Sequence, residues 1–536
     1  MMKEVEKDFD LLNNRWILVL NAKGEVEEIS LLEFFRRAHE LKSLAGELVT
    51  QDVAMLRLLL AIVYAVFTKF DANGNPSPLK NISDALKRWE QIWQLRQFPL
   101  GAIEKYLKKY EERFYLFHPE RPFYQVPALD KGTPYSAAKL MGDLSESSNK
   151  VRLFALKTGR GKKHVGKAEA ARWLLHLNAF DDTSSKPSTR GAGLPSIGAG
   201  WLGKLGLVFA VGANMFETLL LNFVLADEKQ TVFSNGKTTW EQDKINKAER
   251  VKISVPDSMP ELLTLQSRRV LLEKTADGEY VSGYKLLGGD GFEKDNAVIE
   301  QMTLWNTKVN GNLTVFSPKR HDPARFLWRD FPALVANSQD FRKPGVVRWV
   351  GILKNQKLIG NKLASFQTAS IKYGDKDFFI DDVFSDSITL NADLLTELGG
   401  EYVGRIVGLL DKTDKCVKAL GYLAANIAAA AGGSEVQNIS GVSEEAREQA
   451  YFSLDKPFRN WLAGVDPEKD DLDDIAAEWL QKMSRIVTKQ GEQIVAQAGE
   501  KAFVGRYKEI KGKRVAQTAA KAFSSFKMAI KNTING

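Results

Sequence analysis

The chain has 536 residues, 44% of them apolar, and its 75 basic and 67 acidic side chains leave a formal charge of +8. That length and apolar content indicate a folded protein of two to four domains, and so small an excess charge makes the placement of cations more telling than their sum. The single cysteine, Cys416, excludes an internal disulfide and any thiolate zinc cluster. Residues 1–10 lack the apolar region of a signal peptide, and the longest apolar run, 53–67, is too short for a membrane span and carries Arg57. A soluble, cytoplasmic protein is expected.

Residues 15–20 and 26–29 read as strands around a turn, and 31–44 has the apolar spacing of a helix. Thr50 is placed to cap a strongly apolar helix that ends near Phe70. Asp71, Asn73 and Asn75 start like a calcium loop, but Pro76 stands where that loop needs glycine and Ile82 where it needs a bidentate glutamate. Helices at 82–94 and 100–112 lead into 114–127, whose prolines and aromatics predict a rigid, buried connection containing a structural His118.

Residues 147–205 are the most distinctive part. A loop carries Lys150, Arg152, Lys157, Arg160, Lys162, Lys163 and Lys167 with no acid between Ser147 and Ala168. Gly159, Gly161 and Gly166 lie among these cations. A flexible cationic loop of this kind suits a phosphate backbone. A helix over 168–180 follows, then a loop with Gly191, Gly193, Gly198, Gly200, Gly203 and Gly206. Gly198 to Gly203 satisfies GxGxxG, and with Lys204 it satisfies GxxxxGK. Both patterns need a strand before the loop and a helix after it. Here Pro, Ser and Gly precede, a strand at 207–211 follows, and Leu205 stands where magnesium needs a hydroxyl. A nucleotide-dependent enzyme using Gly198 to Lys204 is therefore the weaker alternative. Glycines there still let the backbone approach a partner closely.

A helix at 215–225 comes next, followed by a polar stretch over 226–260 anchored by Trp240. Arg268 and Arg269 lie in the apolar frame of 262–272. A glycine-bearing loop at 283–291 leads to Phe292, Glu293 and Lys294, and 317–330 is basic. Residues 346–352 read as a strand, which places Asn355 and Gln356 at the apex of a hairpin inside the basic zone 342–376. Their amides are suited to base edges. After a last strand at 377–384 the pattern is helical, over 391–431, 443–462, 472–491 and 496–530, which implies an up-and-down bundle. The last of these helices carries a basic strip from Lys501 to Lys531.

Acid pairs such as Asp473–Asp474 fit helix starts. No HExxH, Ser–His–Asp or Cys–His arrangement occurs, so no catalytic residue, cofactor or metal is expected. The fold class is α+β: a large mixed α/β domain over 1–385, then an all-α four-helix bundle over 386–536.

Six runs carry a family resemblance. They are Phe9-Asp10-Leu11-Leu12 with Trp16, Arg57-Leu58-Leu59-Leu60-Ala61, His118-Pro119-Glu120-Arg121-Pro122-Phe123, Ala168-Glu169-Ala170-Ala171-Arg172 with Phe180-Asp181, Phe216 to Asn222, and Thr264 to Leu271. In this order they resemble the large subunit of the type I-E CRISPR surveillance complex Cascade, the CasA family. The resemblance implies a non-catalytic DNA-recognition subunit that inspects the motif flanking the target (the PAM), helps open the duplex and presents it to a helicase–nuclease. The implied partners are the CRISPR RNA 5′ handle, double-stranded target DNA, the other Cascade subunits and that effector, with no membrane.

The family's RNA-handle loop corresponds to Asn149, Lys150, Arg152, Leu153, Phe154, Lys157, Arg160, Lys162 and Lys163. Its glycine loop in the PAM minor groove corresponds to Gly198, Ala199 and Gly200, and its lysine finger to Lys294, with Lys308 the competitor. Its wedge glutamine corresponds to Gln356 beside Asn355. Lys357 stands where the family has a small residue. A scaffold that only docks RNA or protein neighbours is the remaining alternative.

Overall fold

The computed structural model describes residues 7–130, 132–146, 155, 157–183, 197–242, 253–311, 313–336, 342–360, 362–432, 439–510 and 513–535. They belong to two compact units. The first comprises Met1–Pro323, Ser338–Val350 and Ser365–Ser387; the second comprises Ala324–Asn337, Gly351–Ala364 and Ile388–Gly536. A single cut near 385 therefore misses two earlier segments that belong with the C-terminal unit.

The first unit is built around the helix Val49–Phe67, in which every residue but Val49 and Asp52 is buried. A helix that is apolar all round is a core helix or a membrane span. This one is long and apolar enough to span, and 89% of its apolar window is buried inside the fold. Leu48, not Thr50, is its N-cap. Thr50 instead shares a hydrogen bond of 3.0 Å with His176, whose imidazole burial pushes down to about 4. Helices Leu100–Lys109, Lys167–Phe180, Met215–Asn222 and Met259–Leu263 pack against the core helix. Its central cation, Arg57, makes two hydrogen bonds to Glu300, of 2.7 and 2.9 Å. The two side chains are 4% and 0% exposed.

Small sheets cover this core. Ile17–Asn21 pairs with Val26–Ile29 and with Leu41–Leu44, so the expected helix over 31–44 stops at Arg37 and a strand follows. Asp71 is a turn residue: its carboxylate accepts from the amides of Asn73 and Asn75 at 2.9 Å each. His118 is structural, its Nδ1 accepting from the amides of Glu120 and Arg121. Residues 283–288, expected in a loop, belong to the strand Tyr280–Gly288, which pairs with Arg268–Lys274. A third sheet has Leu363–Tyr373 between Ile380–Asn391 and Phe209–Val211.

The expected strand at 346–352 is instead a helix, Gly345–Asn355. Its Val-rich composition suggests β structure, but buried Val346, Val347, Trp349, Val350 and Leu353 recur at helical spacing. Gln356 does not sit on a hairpin. It follows the last helical residue, and Lys357 takes a left-handed φ of 58°. The amides of Lys357 and Leu358 then donate to the carbonyls of Lys354 and Leu353, both at 2.9 Å, which makes a Schellman stop.

In the second unit, Gly400–Gly432 packs against Ile439–Gly464, Leu472–Ala496 and Ala519–Asn535, giving the four-helix bundle. Trp479 meets Phe458 edge-on at 5.0 Å and Trp461 at a tilt at 5.4 Å, and donates from its indole to Thr413 at 3.0 Å. Asp471 caps the third helix by accepting from the amides of Asp473 and Asp474. The first bundle helix starts at Gly400, because Ile380–Asn391 is still a strand. The helix expected over 496–530 is interrupted: after Glu500–Val504 the chain forms a hairpin, Arg506–Ile510 with Lys513–Gln517, and only then the final helix. Part of the basic strip is thus a β-ribbon.

Removing one partner of the Arg57–Glu300 pair strands the other charge in the core. Arg57→Ala is expected to lower unfolding free energy by roughly 3–5 kcal/mol. Arg57→Met with Glu300→Leu should lower it far less, as read by urea denaturation. Equal losses in the two variants would contradict this.

Candidate nucleic-acid interface

The helix Lys167–Phe180 ends at two consecutive acids, Asp181 and Asp182. Carboxylates at a helix C-terminus oppose the dipole, so cations are needed there. Lys139 meets Asp182 at 2.6 Å, and Arg268 Nε meets Asp181 at 2.5 Å. The Arg268 side chain is fully buried. It also donates to the carbonyls of Ser267 (3.0 Å), Asp181 (3.3 Å), Asp182 (3.0 Å) and Gly198 (2.9 Å). One guanidinium therefore joins the helix end to the glycine loop.

The loop is held from other sides as well. Gly198 has φ of +71°, a conformation that favours glycine. Gly200 donates its amide to the Asp181 carbonyl at 2.9 Å, and a Cβ there would lie 2.4 Å from the Ala179 carbonyl oxygen. Trp201 donates from its indole to Glu300 at 2.9 Å and meets Phe292 edge-on at 5.5 Å. Gly200 is thus a packing glycine that faces inward, and Gly198 and Ala199 are the loop residues that reach a cleft.

That cleft, of about 590 Å³, is lined by Gly198, Ala199 and Lys204 from one segment and by Gly291, Phe292, Glu293 and Lys294 from another. Arg320 and Asp377 complete it. Two candidates drawn from distant parts of the sequence, the glycine loop and Lys294, therefore share one cavity. Lys308 does not line it; it sits exposed on the hairpin strand Trp305–Asn310. Asn355, Gln356 and Lys357 do not line it either.

Sequence reasoning missed three parts of this cleft. Lys204, considered only for its place in GxxxxGK, is half-buried. Burial, and then the nearby Arg268, Lys294 and Arg320, push its ammonium down to about 8. Arg320 pairs with both carboxylate oxygens of Asp377, at 2.9 and 2.8 Å, beneath the Tyr373 ring. The third part is the turn between Leu363–Tyr373 and Ile380–Asn391. Lys376 and Asp377 are left-handed there, with φ of 50° and 60°. Thr183 fastens the turn by donating to the carbonyls of Lys376 (2.7 Å) and Asp377 (2.8 Å). Phe378 beside them is 49% exposed. Residues 377–379, expected to begin a strand, belong to this turn instead, and the strand starts at Ile380.

Of the expected RNA-handle loop, Asn149, Lys150, Arg152, Leu153 and Phe154 lie outside the described residues. In the described half, two acids that flank the run, Glu146 and Glu169, and the distant Asp8 reach the cations. Lys157 pairs with Glu169, Lys162 with Glu146 at 2.7 Å, and Lys167 with Asp8 at 3.0 Å. Arg160, over the Tyr280 ring at 5.4 Å, and Lys163 remain exposed. The basic zone 342–376 likewise proves not to be one surface. Arg342 pairs with Glu228, Lys354 with Asp393, Lys362 with Asp466 and Lys372 with Asp381.

The Gly198 segment leads into a single turn, Leu202–Lys204, not into a helix whose N-terminus could hold a phosphate. Among the described residues, no three His, Cys, Asp or Glu side chains converge as metal ligands. Burial raises the Cys416 thiol to about 11.

The architecture is that of a two-unit α+β protein with a C-terminal four-helix bundle. Residues 10–490 match the family model described as CRISPR-associated protein Cse1, so the chain belongs to that family. CRISPR-associated protein CasA/Cse1 of Thermus thermophilus is 30% identical over 338 residues, which cover 62% of this chain and 61% of that relative's length. The crystal structure of Thermobifida fusca Cse1 superposes with a TM-score of 0.82 at 30% identity, over 99% of this chain and 98% of that one. A chain from a structure titled "CRISPR RNA-guided surveillance complex" shares the fold, with a TM-score of 0.70 at 17% identity over 98% of this chain and all of that one.

The Lys204 ammonium is desolvated in the fold and solvated in the unfolded chain. Stability is therefore lost while it is protonated, and regained as pH rises from about 8 toward 10.5. Lys204→Met should raise the melting temperature at pH 7 more than at pH 10. An equal or inverted effect in thermal melts at the two pH values would contradict the assignment.

Proposed function

We propose that this chain is the non-catalytic subunit of an RNA-guided CRISPR interference complex that reads the PAM and helps open the target duplex. The observation that carries the reading is the cleft where Gly198, Ala199 and Lys294 meet. The minor groove offers mainly acceptors and distinguishes little beyond A·T from G·C. A rigid backbone edge with Lys294 beside it suits such a surface, and Lys204 and Arg320 supply positive potential for the flanking phosphates. Gly198 would enter the groove, while buried Ala199 and Gly200 serve the loop's packing behind it.

The wedge is reassigned. Asn355 ends a helix and Gln356 lies within its Schellman stop, whereas the turn at Lys376, Asp377 and Phe378 borders the cleft through Asp377. An exposed aromatic ring on a fastened turn is a suitable intercalating group, and unstacking a base step costs a few kcal/mol. Guide–target pairing then replaces the duplex that was opened. The partners are double-stranded target DNA, the CRISPR RNA 5′ handle, the other subunits of the complex and a helicase–nuclease effector. Arg160 and Lys163 are the described cations free to meet the RNA.

Reconstitution with the guide-bearing subcomplex tests the DNA reading. Lys294→Ala should weaken binding to a PAM-bearing duplex by about tenfold with assembly intact. Phe378→Ala should slow strand opening, followed by permanganate footprinting, and Gln356→Ala should not. Unchanged binding in Lys294→Ala would contradict the cleft, and slow opening in Gln356→Ala alone would return the wedge to Gln356. A scaffold without sequence reading would be indifferent to the flanking bases in every variant.

Docking onto the RNA-bearing subcomplex should weaken in Arg160→Ala with Lys163→Ala. Its salt slope should fall by ~0.7 per lost single-strand contact. A slope equal to wild type would remove both residues from the RNA interface.

A further inference from the structure

A second cleft, sharing no lining residue with the first, lies between the helix Leu100–Lys109, the end of the core helix and the segment before Thr239–Glu241. It has a volume of about 460 Å³ and is lined by Lys69, Lys105, Lys109 and Lys237, with Tyr106, Tyr110 and Glu241. Lys105 and Lys109 are one turn apart on the same helix face, an arrangement that destabilises a helix when nothing opposes it. Lys237 faces them from a different segment. Glu241 is already committed: it pairs with Lys69 at 2.9 Å and accepts from the Thr238 amide at 2.9 Å. Among the described residues, no carboxylate lies within 4 Å of the Lys105, Lys109 or Lys237 ammonium groups.

The wall behind these lysines is preformed. The Trp240 indole donates to the Tyr106 hydroxyl at 2.8 Å, and the rings of Tyr106 and Tyr110 lie 5.2 Å apart. Lys109 sits over the Tyr110 ring at 5.1 Å. Lys105, Lys109 and Lys237, all exposed, thus line one cavity from two segments and give its mouth a positive potential that suits an anion. Lysine binds phosphate as a point charge and needs no fixed fork geometry. The volume lies within the range of small-ligand sites, and the half-buried Tyr110 ring offers a face to a base or sugar.

We infer that this cleft is a binding site for a phosphate-bearing ligand of mononucleotide size. The same chemistry is presented by a free nucleotide and by one nucleotide of a single strand. Lys105, Lys109 and Lys237 hold the phosphate, and Tyr110 covers the rest of the ligand.

The test uses the full chain and calorimetric titration with inorganic pyrophosphate, thymidine monophosphate and a short oligothymidylate. At least one of the three should bind, with affinity at least tenfold weaker in Lys105→Ala with Lys237→Ala and unchanged in Lys108→Ala, an exposed lysine of the same helix outside the cleft. Loss of the nucleotide but not of pyrophosphate in Tyr110→Ala would support the aromatic contact. Binding of the monophosphate assigns the site to free nucleotides, and binding of the oligomer alone assigns it to a strand. No binding of any of the three, or equal binding in the double variant, overturns the proposal. All four side chains are on the surface or its rim, so the variants should fold, and thermal melts without ligand verify that they do.

Discussion

The site depends on where the Arg268 guanidinium is placed. It is buried without solvent contact, faces the Asp181 carboxylate, and reaches the carbonyl of Gly198 across the gap to the glycine loop. A charge in that position is tolerable only because each of its three nitrogens has an acceptor. Helix end and loop are therefore not independent. If Asp181 or the Gly198 carbonyl moves, a buried cation loses a partner. Rigidity of the loop follows from that penalty, with no need for a regular element to carry it.

A second buried pair does the same from the opposite side. Glu300 is held by Arg57 of the core helix and accepts from the Trp201 indole. Trp201 then packs on Phe292, which lines the cleft beside Lys294. The two residues expected to read DNA thus trace back, through one ion pair each, to the end of one helix and the middle of another. A backbone edge that enters a groove has few side-chain contacts to correct its position, so preorganisation of this kind matters more for it than for a long side chain.

Much of the fold was legible in the sequence. The apolar run at 53–67 declares the core helix, and the spacing from 391 onward declares the bundle, although its first helix starts only at Gly400. The failures have physical causes. The Val-rich stretch at 346–352 reads as a strand because β-branched composition outweighs its helical period, and that reading places Gln356 on a hairpin where the structure has a helix end. The 506–517 hairpin was hidden inside a basic, helix-like pattern. In the cleft, Gly198 and Lys294 were legible separately, but their meeting was not, since nothing local relates them. The acid-free run 147–167 reads as more cationic than it is, because Glu146 and Glu169 at its ends fold back onto Lys162 and Lys157 and the distant Asp8 reaches Lys167.

In the proposed function, the cleft around Gly198 and Lys294 reads the bases flanking a guide-matched target. The most direct measurement is binding of the reconstituted complex to duplexes that share the target and carry randomised flanking bases. Bound duplexes should be enriched in a restricted set of flanks, distinguished mainly as A·T against G·C at the positions next to the target. Recovery of all flanks in the input proportions would contradict it.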